Sequence, residues 1–338
     1  MATRVGINGF GRIGRLTLRA ILERHPDEVQ VVAVNDLGDP HTNAHLFKYD
    51  SIYGTFKGET RFDEDEIFIS GNRIRSFRTR DPAEIDWESV GAQVVVEGTG
   101  IFRDRDGAGK HLGTSVKKVI ITAPAKGDVD HTLVLGVNDD TYDPANHHVI
   151  SNASCTTNCL APIAKVLLDN FGIESGLMTT IHSYTNDQRI QDQVHSDLRR
   201  ARAAAQNLIP TTTGAAKAVG IVIPELQGKM NGFAIRVPTA TVSVVDLVVN
   251  LERAATSDAI NDALRKAAEG PMKGYLKVCD EPLVSSDFIG DPHSAIVDAA
   301  LTQTMGDRMA KVVGWYDNEW GYACRCADLI KFFADKGL

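Results

Sequence analysis

This chain is predicted to be an α/β protein, with an N-terminal doubly wound parallel sheet followed by a second α+β domain built on a large mixed sheet. Three observations carry that expectation. A glycine fingerprint lies between a short strand and a helix at the N-terminus. Apolar β-branched runs then alternate with helical segments. Beyond about residue 154 the pattern changes to longer strands and long polar loops. At 338 residues the chain exceeds what one small core organises, so two domains are expected.

Residues 4–8 read as a short buried strand. Gly9-Phe10-Gly11-Arg12-Ile13-Gly14 follows directly, and residues 15–23 read as a helix with Leu16, Leu18, Ala20, Ile21 and Leu22 available for packing. Between strand and helix, a G-x-G-x-x-G run has a mechanism. Gly9 permits the tight turn, Gly11 lets the backbone approach a pyrophosphate, and Gly14 allows close helix–strand packing. The diphosphate would rest on the helix N-terminus, where backbone N–H groups point outward. The second strand, 29–34, ends at Asn35-Asp36, and Asp36 stands where an acid bonds ribose hydroxyls. Because Asp36 would repel a 2′-phosphate, a Rossmann-type domain binding NAD rather than NADP is expected. Runs 93–97 and 118–122 are β-branched and end in Gly98-Thr99-Gly100 and Thr122-Ala123-Pro124, candidates for the crevice at the strands' carboxyl ends. Arg80, in an Arg-Asp-Pro turn, is either a further contact or a surface residue.

Cys155 lies in Ser151-Asn152-Ala153-Ser154-Cys155-Thr156-Thr157-Asn158-Cys159-Leu160-Ala161-Pro162. From Leu160 the pattern is helical, with Leu160, Ile163, Ala164, Leu167, Leu168 and Phe171 on one face, and it ends at Phe171-Gly172. Ser151, Asn152 and Ser154 are N-cap types, which puts Cys155 at or near a first helical turn. There the unpaired N–H groups and the dipole draw a thiol's pKa from ~8.5 towards ~3.5–7.5 and make it a nucleophile. Pro162 either kinks this helix or marks its true start. Most free cysteines are buried packing residues, but polar neighbours argue against that here.

Residues 178–182 read as a strand ending in His182, ahead of Ser183-Tyr184-Thr185-Asn186-Asp187; a histidine so placed is a candidate base for the thiol. The stretch 184–207 is long for a connector and carries Arg189, Arg199, Arg200 and Arg202, either a solvated face or a phosphate-recognising set. Thr211-Thr212-Thr213-Gly214 opens a helix suited to an anion. Arg236 ends an apolar strand, where it needs an anionic partner or ligand. Residues 241–250 form a β-branched run fit for a large sheet, 257–269 a helix, 311–316 a strand and 322–336 a closing helix. No repeat or flexible linker is evident, and the domain change falls near Ser154.

The composition, 43% hydrophobic and 24% charged, is that of a folded globular protein, and a net charge of −8 argues against a general nucleic-acid binder. No apolar stretch approaches membrane-spanning length and no signal-peptide core precedes the first strand, so a cytoplasmic protein without membrane association is expected. The five cysteines then read as thiols rather than disulfides. No Cys/His cluster completes a zinc site around Cys155 and Cys159, so no metal is expected.

Taken together, these residues resemble phosphorylating glyceraldehyde-3-phosphate dehydrogenase over essentially the whole chain. The matching runs are Ile7-Asn8-Gly9-Phe10-Gly11-Arg12-Ile13-Gly14-Arg15, the Ser151 to Pro162 run, His182-Ser183-Tyr184-Thr185-Asn186-Asp187-Gln188, Thr211 to Lys217, Arg236-Val237-Pro238-Thr239 and Trp315-Tyr316-Asp317-Asn318-Glu319-Trp320-Gly321-Tyr322. The resemblance implies Cys155 as nucleophile and His182 as base. It implies Thr185 and Arg236 for the substrate's own phosphate, with Ser154, Thr156, Thr213, Gly214 and Arg200 around inorganic phosphate. Arg12, Ile13, Asp36, Arg80, Thr122 and Asn318 match contacts to NAD. It also implies a cofactor domain, 1–154, joined by a C-terminal helix, 319–338, a catalytic domain, 155–318, and a homotetramer. The expected reaction is oxidation of glyceraldehyde 3-phosphate to 1,3-bisphosphoglycerate through a cysteine hemithioacetal and thioester. Erythrose-4-phosphate dehydrogenase chemistry, or an additional non-catalytic binding role, is the alternative. Three departures stand out: Thr122 for the usual Ser, Gly98 for Ser or Cys, and Gln193-Val194 for a Leu-Pro common in NAD-specific members.

Overall fold

The computed structural model describes residues 2–338 and divides into two compact units. One takes the chain to residue 133, then 140–153 and 323–338; the other takes 134–139 and 154–322.

The first unit begins β1 (Thr3–Asn8), α1 (Arg12–Arg24), β2 (Val29–Asn35), α2 (Pro40–Lys48), β3 (Tyr49–Asp50), β4 (Gly54–Thr55), β5 (Thr60–Phe62), β6 (Glu66–Ile69) and β7 (Asn72–Phe77). It continues through β8 (Val94–Glu97), α3 (Arg105–Gly109), β9 (Lys118–Ile121), β10 (His131–Thr132) and β11 (Val149–Ser151). Nine of these strands make one sheet in the order β10-β11-β9-β8-β1-β2-β7-β6-β5, parallel from β10 to β7. The chain leaves β1 for β2 on one side and returns to β8 on the other, so the sheet has a switch point at β1, where such folds bind ligands. Central strands buried on both faces need continuous apolar runs, and Val94, Val95 and Val96 are wholly buried. Glycine is required in the first turn. Gly9 has φ +89°, and a Cβ on Gly14 would stand 2.3 Å from the Gly9 carbonyl oxygen. Helix α1 therefore starts at once, at Arg12 rather than at residue 15.

Within this unit the last helix, α7 from Ala323 onward, is tied to α1. Arg24 donates twice to Asp328, each bond 3.0 Å, and His25 Nε2 lies 2.8 Å from the same carboxylate.

The second unit holds α4 (Cys155–Phe171), β12 (Ile173–Ser183), β13 (Ile209–Thr212), α5 (Ala215–Val222), β14 (Met230–Val237), β15 (Ser243–Leu251), α6 (Ser257–Glu269), β16 (Leu276–Cys279), β17 (Ala295–Asp298), β18 (Gln303–Met305) and β19 (Met309–Tyr316); α7 (Trp320–Asp335) starts here. Its eight-stranded sheet runs β13-β14-β12-β15-β19-β17-β16, with β18 on β19. The β12–β14 and β16–β17 pairs are parallel and the rest antiparallel, so the sheet is mixed. Helix α4 is continuous from Cys155; Pro162 sits inside it, so the start lies seven residues earlier than a proline-first helix would place it. The helix rests on β19 where that strand has no side chain: a Cβ on Gly314 would fall 2.5 Å from Ile163 Cδ1 and 3.3 Å from Cys159 Sγ.

Candidate active site

Ser154 caps α4, its hydroxyl accepting from Thr157 N at 3.0 Å, so Cys155 is the first residue inside the helix. The thiol is half-buried, and Sγ lies 3.4 Å from His182 Nε2. Burial pushes the Cys155 thiol up, while Arg236 and hydrogen bonds from Thr156 pull it down. The lowering expected from a helix start is thus outweighed by desolvation, the largest influence on the sulfur. Cys159, one turn on, is fully buried with its sulfur towards the Gly314 carbonyl, and burial holds its thiol far above the ordinary range.

Strand register builds the rest. In the parallel β12–β14 pair, Thr180 stands beside Ala234 and His182 beside Arg236. Side chains of Met178, Thr180 and His182, two apart, share the buried face. His182 Nδ1 lies 2.7 Å from the Ser183 carbonyl oxygen, and Nε2 faces the thiol. Arg236 Nη1 lies 2.5 Å from the same Nδ1 and donates to Ser183 O at 3.1 Å. Burial and this cation together bring the His182 pKa down to about 3, so the ring is neutral near pH 7. A neutral imidazole is the form that accepts a proton.

Arg236 is a half-buried cation whose buried Nε meets no acceptor among the described residues. A bound anion would satisfy it. Thr185 is held by Gln188, whose side-chain oxygen accepts from Thr185 N at 2.7 Å. The second group of anion candidates is less concentrated. Thr213 and Gly214 lie at the start of α5, where Gly214 supplies no side-chain cap and the Thr213 hydroxyl accepts from Ala215 N at 3.2 Å. Arg200 is bound by Asp187, by Thr211 Oγ1 at 2.8 Å and by Thr212 O at 3.2 Å. Thr156 is buried, its hydroxyl 2.8 Å from the Tyr316 hydroxyl. The structure thus brings Cys155, His182 and Arg236 into contact, and ties Arg200 and Thr156 to other protein groups.

Sequence reading missed Tyr316 and the two serines. The Tyr316 hydroxyl bridges Thr156 and Thr180, 2.8 and 2.9 Å away, and its ring meets the His182 ring edge-on at 6.0 Å. Ser183 and Ser243 both donate to Asn318 Oδ1 at 2.9 Å, which fixes the amide so that its N–H groups remain to donate elsewhere. The signal for Tyr316 was its place at the end of a strand two residues before Asn318. Nothing in the sequence shows that Ser243 pairs across from it.

In the first unit the residues fit a dinucleotide. No atom lies within 4 Å of a Cβ placed on Gly11, so backbone there is open to a diphosphate, and α1 begins without a side-chain cap. Asp36 follows β2; its carboxylate accepts from Phe10 N and Gly38 N, each at 2.9 Å, which aligns it with the fingerprint turn. Ile13 is half-buried on α1, and Thr122, after β9, donates to Glu97 O at 3.2 Å. Arg80, beyond β7, is exposed, and Arg12 is paired with Asp50 at 2.6 Å. Among the described residues no helix is long and apolar enough to cross a membrane.

A dinucleotide turn on a parallel sheet, in a chain that also sets a helix-start thiol beside a neutral histidine, is the arrangement of a nucleotide-dependent oxidoreductase. Comparison with known proteins sharpens this. A family model described as the NAD binding domain of glyceraldehyde 3-phosphate dehydrogenase matches residues 3–105, and its C-terminal domain counterpart matches 154–318. The chain is 57% identical over 338 residues to glyceraldehyde-3-phosphate dehydrogenase of Geobacillus stearothermophilus, covering 100% of both chains. It is 56% identical over 336 residues to glyceraldehyde-3-phosphate dehydrogenase 2 of Streptomyces avermitilis, across 99% of this chain and 100% of the other. Against chloroplastic glyceraldehyde-3-phosphate dehydrogenase B of Pisum sativum it is 55% identical over 335 residues, 98% of this chain and 74% of the other. The chain belongs to the glyceraldehyde-3-phosphate dehydrogenase family. Its cofactor is NAD, and its class is that of the NAD-dependent phosphorylating oxidoreductases acting on an aldehyde group. None of these relatives is named for erythrose 4-phosphate, and that alternative is not favoured.

Proposed function

We propose that Cys155 and His182 carry the phosphorylating oxidation of D-glyceraldehyde 3-phosphate to 1,3-bisphosphoglycerate. The observation that supports these roles is the 3.4 Å approach of the thiol to Nε2 of a neutral imidazole. Arg236, with its buried uncommitted donor, and Thr185 hold the substrate phosphate and bring the aldehyde carbon to Sγ. The sulfur adds to that carbon as His182 Nε2 takes the thiol proton; the imidazolium returns it to the new oxyanion to give the hemithioacetal hydroxyl, and the neutral imidazole then removes it again. Positioned acid–base help of this kind contributes about 10²–10⁴-fold. Gly9, Gly11, Gly14 and Ile13 through their backbone, and Arg12, Asp36, Arg80, Thr122 and Asn318 through side chains, hold NAD, which when bound supplies the hydride acceptor. The acyl group remains on Cys155 as a thioester. Inorganic phosphate, held by Ser154, Thr156, Thr213, Gly214 and Arg200, attacks it and releases the acyl phosphate. In the proposed setting the enzyme is a cytoplasmic homotetramer.

The test is a phosphate-free assay with glyceraldehyde 3-phosphate. It should yield one burst of NADH per active site and then stall, because the thioester leaves only by slow hydrolysis. Cys155→Ala should abolish the burst, and Cys159→Ala should keep most of it. Sustained turnover without phosphate would assign the chain to hydrolytic chemistry instead.

A further inference from the structure

Beneath the cofactor turn lies a buried hydrogen-bond chain that the reaction does not use. Its hub is Glu97, at the end of β8 and 1% exposed. One carboxylate oxygen accepts from Asn8 Nδ2 at 2.6 Å and faces His111 Nε2 at 3.0 Å; the other accepts from Thr99 N at 2.8 Å and from the Thr99 hydroxyl. The polarity is forced throughout. The Trp87 indole nitrogen only donates, and it donates to His111 Nδ1 at 3.0 Å, so the His111 proton resides on Nε2 and points at Glu97. Asn8, having given its N–H to Glu97, offers Oδ1 to Asn35 Nδ2 at 2.7 Å. Asn35 in turn clasps Thr79, donating to its carbonyl at 2.9 Å and accepting from its N–H at 2.8 Å.

The chain runs along the carboxyl ends of β8, β1 and β2 to the residue pair beyond β7, strands that are neighbours in this order in the sheet. Each of those ends leads into residues assigned above to NAD or to its crevice: Gly98-Thr99 after β8, Gly9 after β1, Asp36 after β2, and Arg80 directly after Thr79. A buried carboxylate is costly wherever apolar side chains can replace it, so fold stability is a weak reason for placing one here. We infer that Glu97, through Asn8, Asn35 and His111, is a positioning residue for NAD that holds the loops after four adjacent strands in the mutual register the dinucleotide spans. This rests on the assignment of NAD to the first unit.

Glu97→Gln tests it. An amide at that position turns an NH2 group towards donors on whichever side it faces, so the hub breaks while its size is kept. Titration of the full-length protein with NAD should show Kd raised about tenfold, the factor that one unsatisfied buried donor confers. The KM for NAD should follow it, and the KM for glyceraldehyde 3-phosphate should stay as it was. Combining Glu97→Gln with Asn8→Asp reverses the bond, the new amide on β8 donating to the new carboxylate on β1. The double variant also gives the His111 N–H an oxygen at the present 3.3 Å contact with Asn8. It should recover most of the NAD affinity, which a merely structural loss would not predict. Asn35→Asp, which removes both bonds donated by the Asn35 amide, keeps the idea testable if Glu97→Gln does not fold, and it too should weaken NAD binding. A folded single variant that binds NAD as wild type does, or a folded double variant that recovers nothing, overturns the inference. A wild-type protein that shows no saturable NAD binding overturns the cofactor assignment itself.

Discussion

Arg236 has two effects on the same few ångströms. Its cation favours the Cys155 thiolate and disfavours a protonated His182. Removing it should therefore raise both pKa values, making the thiol harder to ionise and the imidazole easier to protonate. In Arg236→Ala the thiol pKa rises further above its ordinary value, so alkylation by uncharged iodoacetamide at pH 8 should slow. Loss of a charge-assisted bond to the substrate phosphate should also raise the KM for glyceraldehyde 3-phosphate by about tenfold to a hundredfold. Faster alkylation in the variant would remove Arg236 from the thiol's surroundings. At this scale the sequence was informative where a residue type was out of place: a thiol among hydroxyls, an arginine ending an apolar strand. It was silent on Tyr316 and Ser243, because a tyrosine or serine in a strand is ordinary and only register reveals what it faces. It also misjudged the direction of the Cys155 shift, since burial cannot be read from a residue's neighbours along the chain.

Elements were legible where periodicity and punctuation agreed. Helix α6 matches the expected span of residues 257–269, having a threonine cap before it and glycine after it. Strand β12 is much longer than expected, beginning at Ile173, because its first half, with Glu174, Ser175 and Gly176 in succession, lacks a continuous apolar run. The contact between α1 and α7 was invisible locally, since its partners lie some three hundred positions apart in sequence. Burial alone would push the Asp328 carboxyl up, but His25, Arg325 and Arg24 outweigh it and hold it at about 2. A carboxyl depressed in the folded state stabilises above its unfolded pKa of about 4 and loses that contribution as pH falls towards 2. The clamp is worth roughly 2 kcal/mol at neutral pH by the same linkage. Asp328→Asn should therefore lower Tm at pH 7 yet flatten its decline between pH 4 and 2. A parallel decline in both proteins would show that the clamp does not carry the acid sensitivity.

At the scale of the whole molecule, the surface of the second unit is what remains to be explained. Leu177, Ile190, Val194, Leu198 and Met305 are each at least two-thirds exposed, apolar area that assembly would cover. Three of them lie in the loop after Tyr184, which is stapled by Arg202–Asp192 and Arg200–Asp187 pairs into a fixed shape. The proposed tetramer would cover such a surface. Light scattering at assay concentration should give four times the chain's 36.7 kDa, and an active monomer would leave these side chains without a purpose. Assembly is the property the sequence expressed least directly, because an exposed leucine looks the same on paper as a buried one.

The bare backbone at Gly314 sets a mechanical tolerance for the chemistry. Helix α4 is seated on β19 through Ile163 and Cys159, two turns and one turn below the Cys155 thiol, at a point of contact that has no side chain to hold it off. The helix acts as a rigid rod with the thiol at its tip and its bearing at that glycine. A single methyl group there would lift the rod, and a displacement of about 1 Å at a reacting atom costs about 10²-fold in rate. The working distance between sulfur and imidazole is thus calibrated from a site that never touches a substrate.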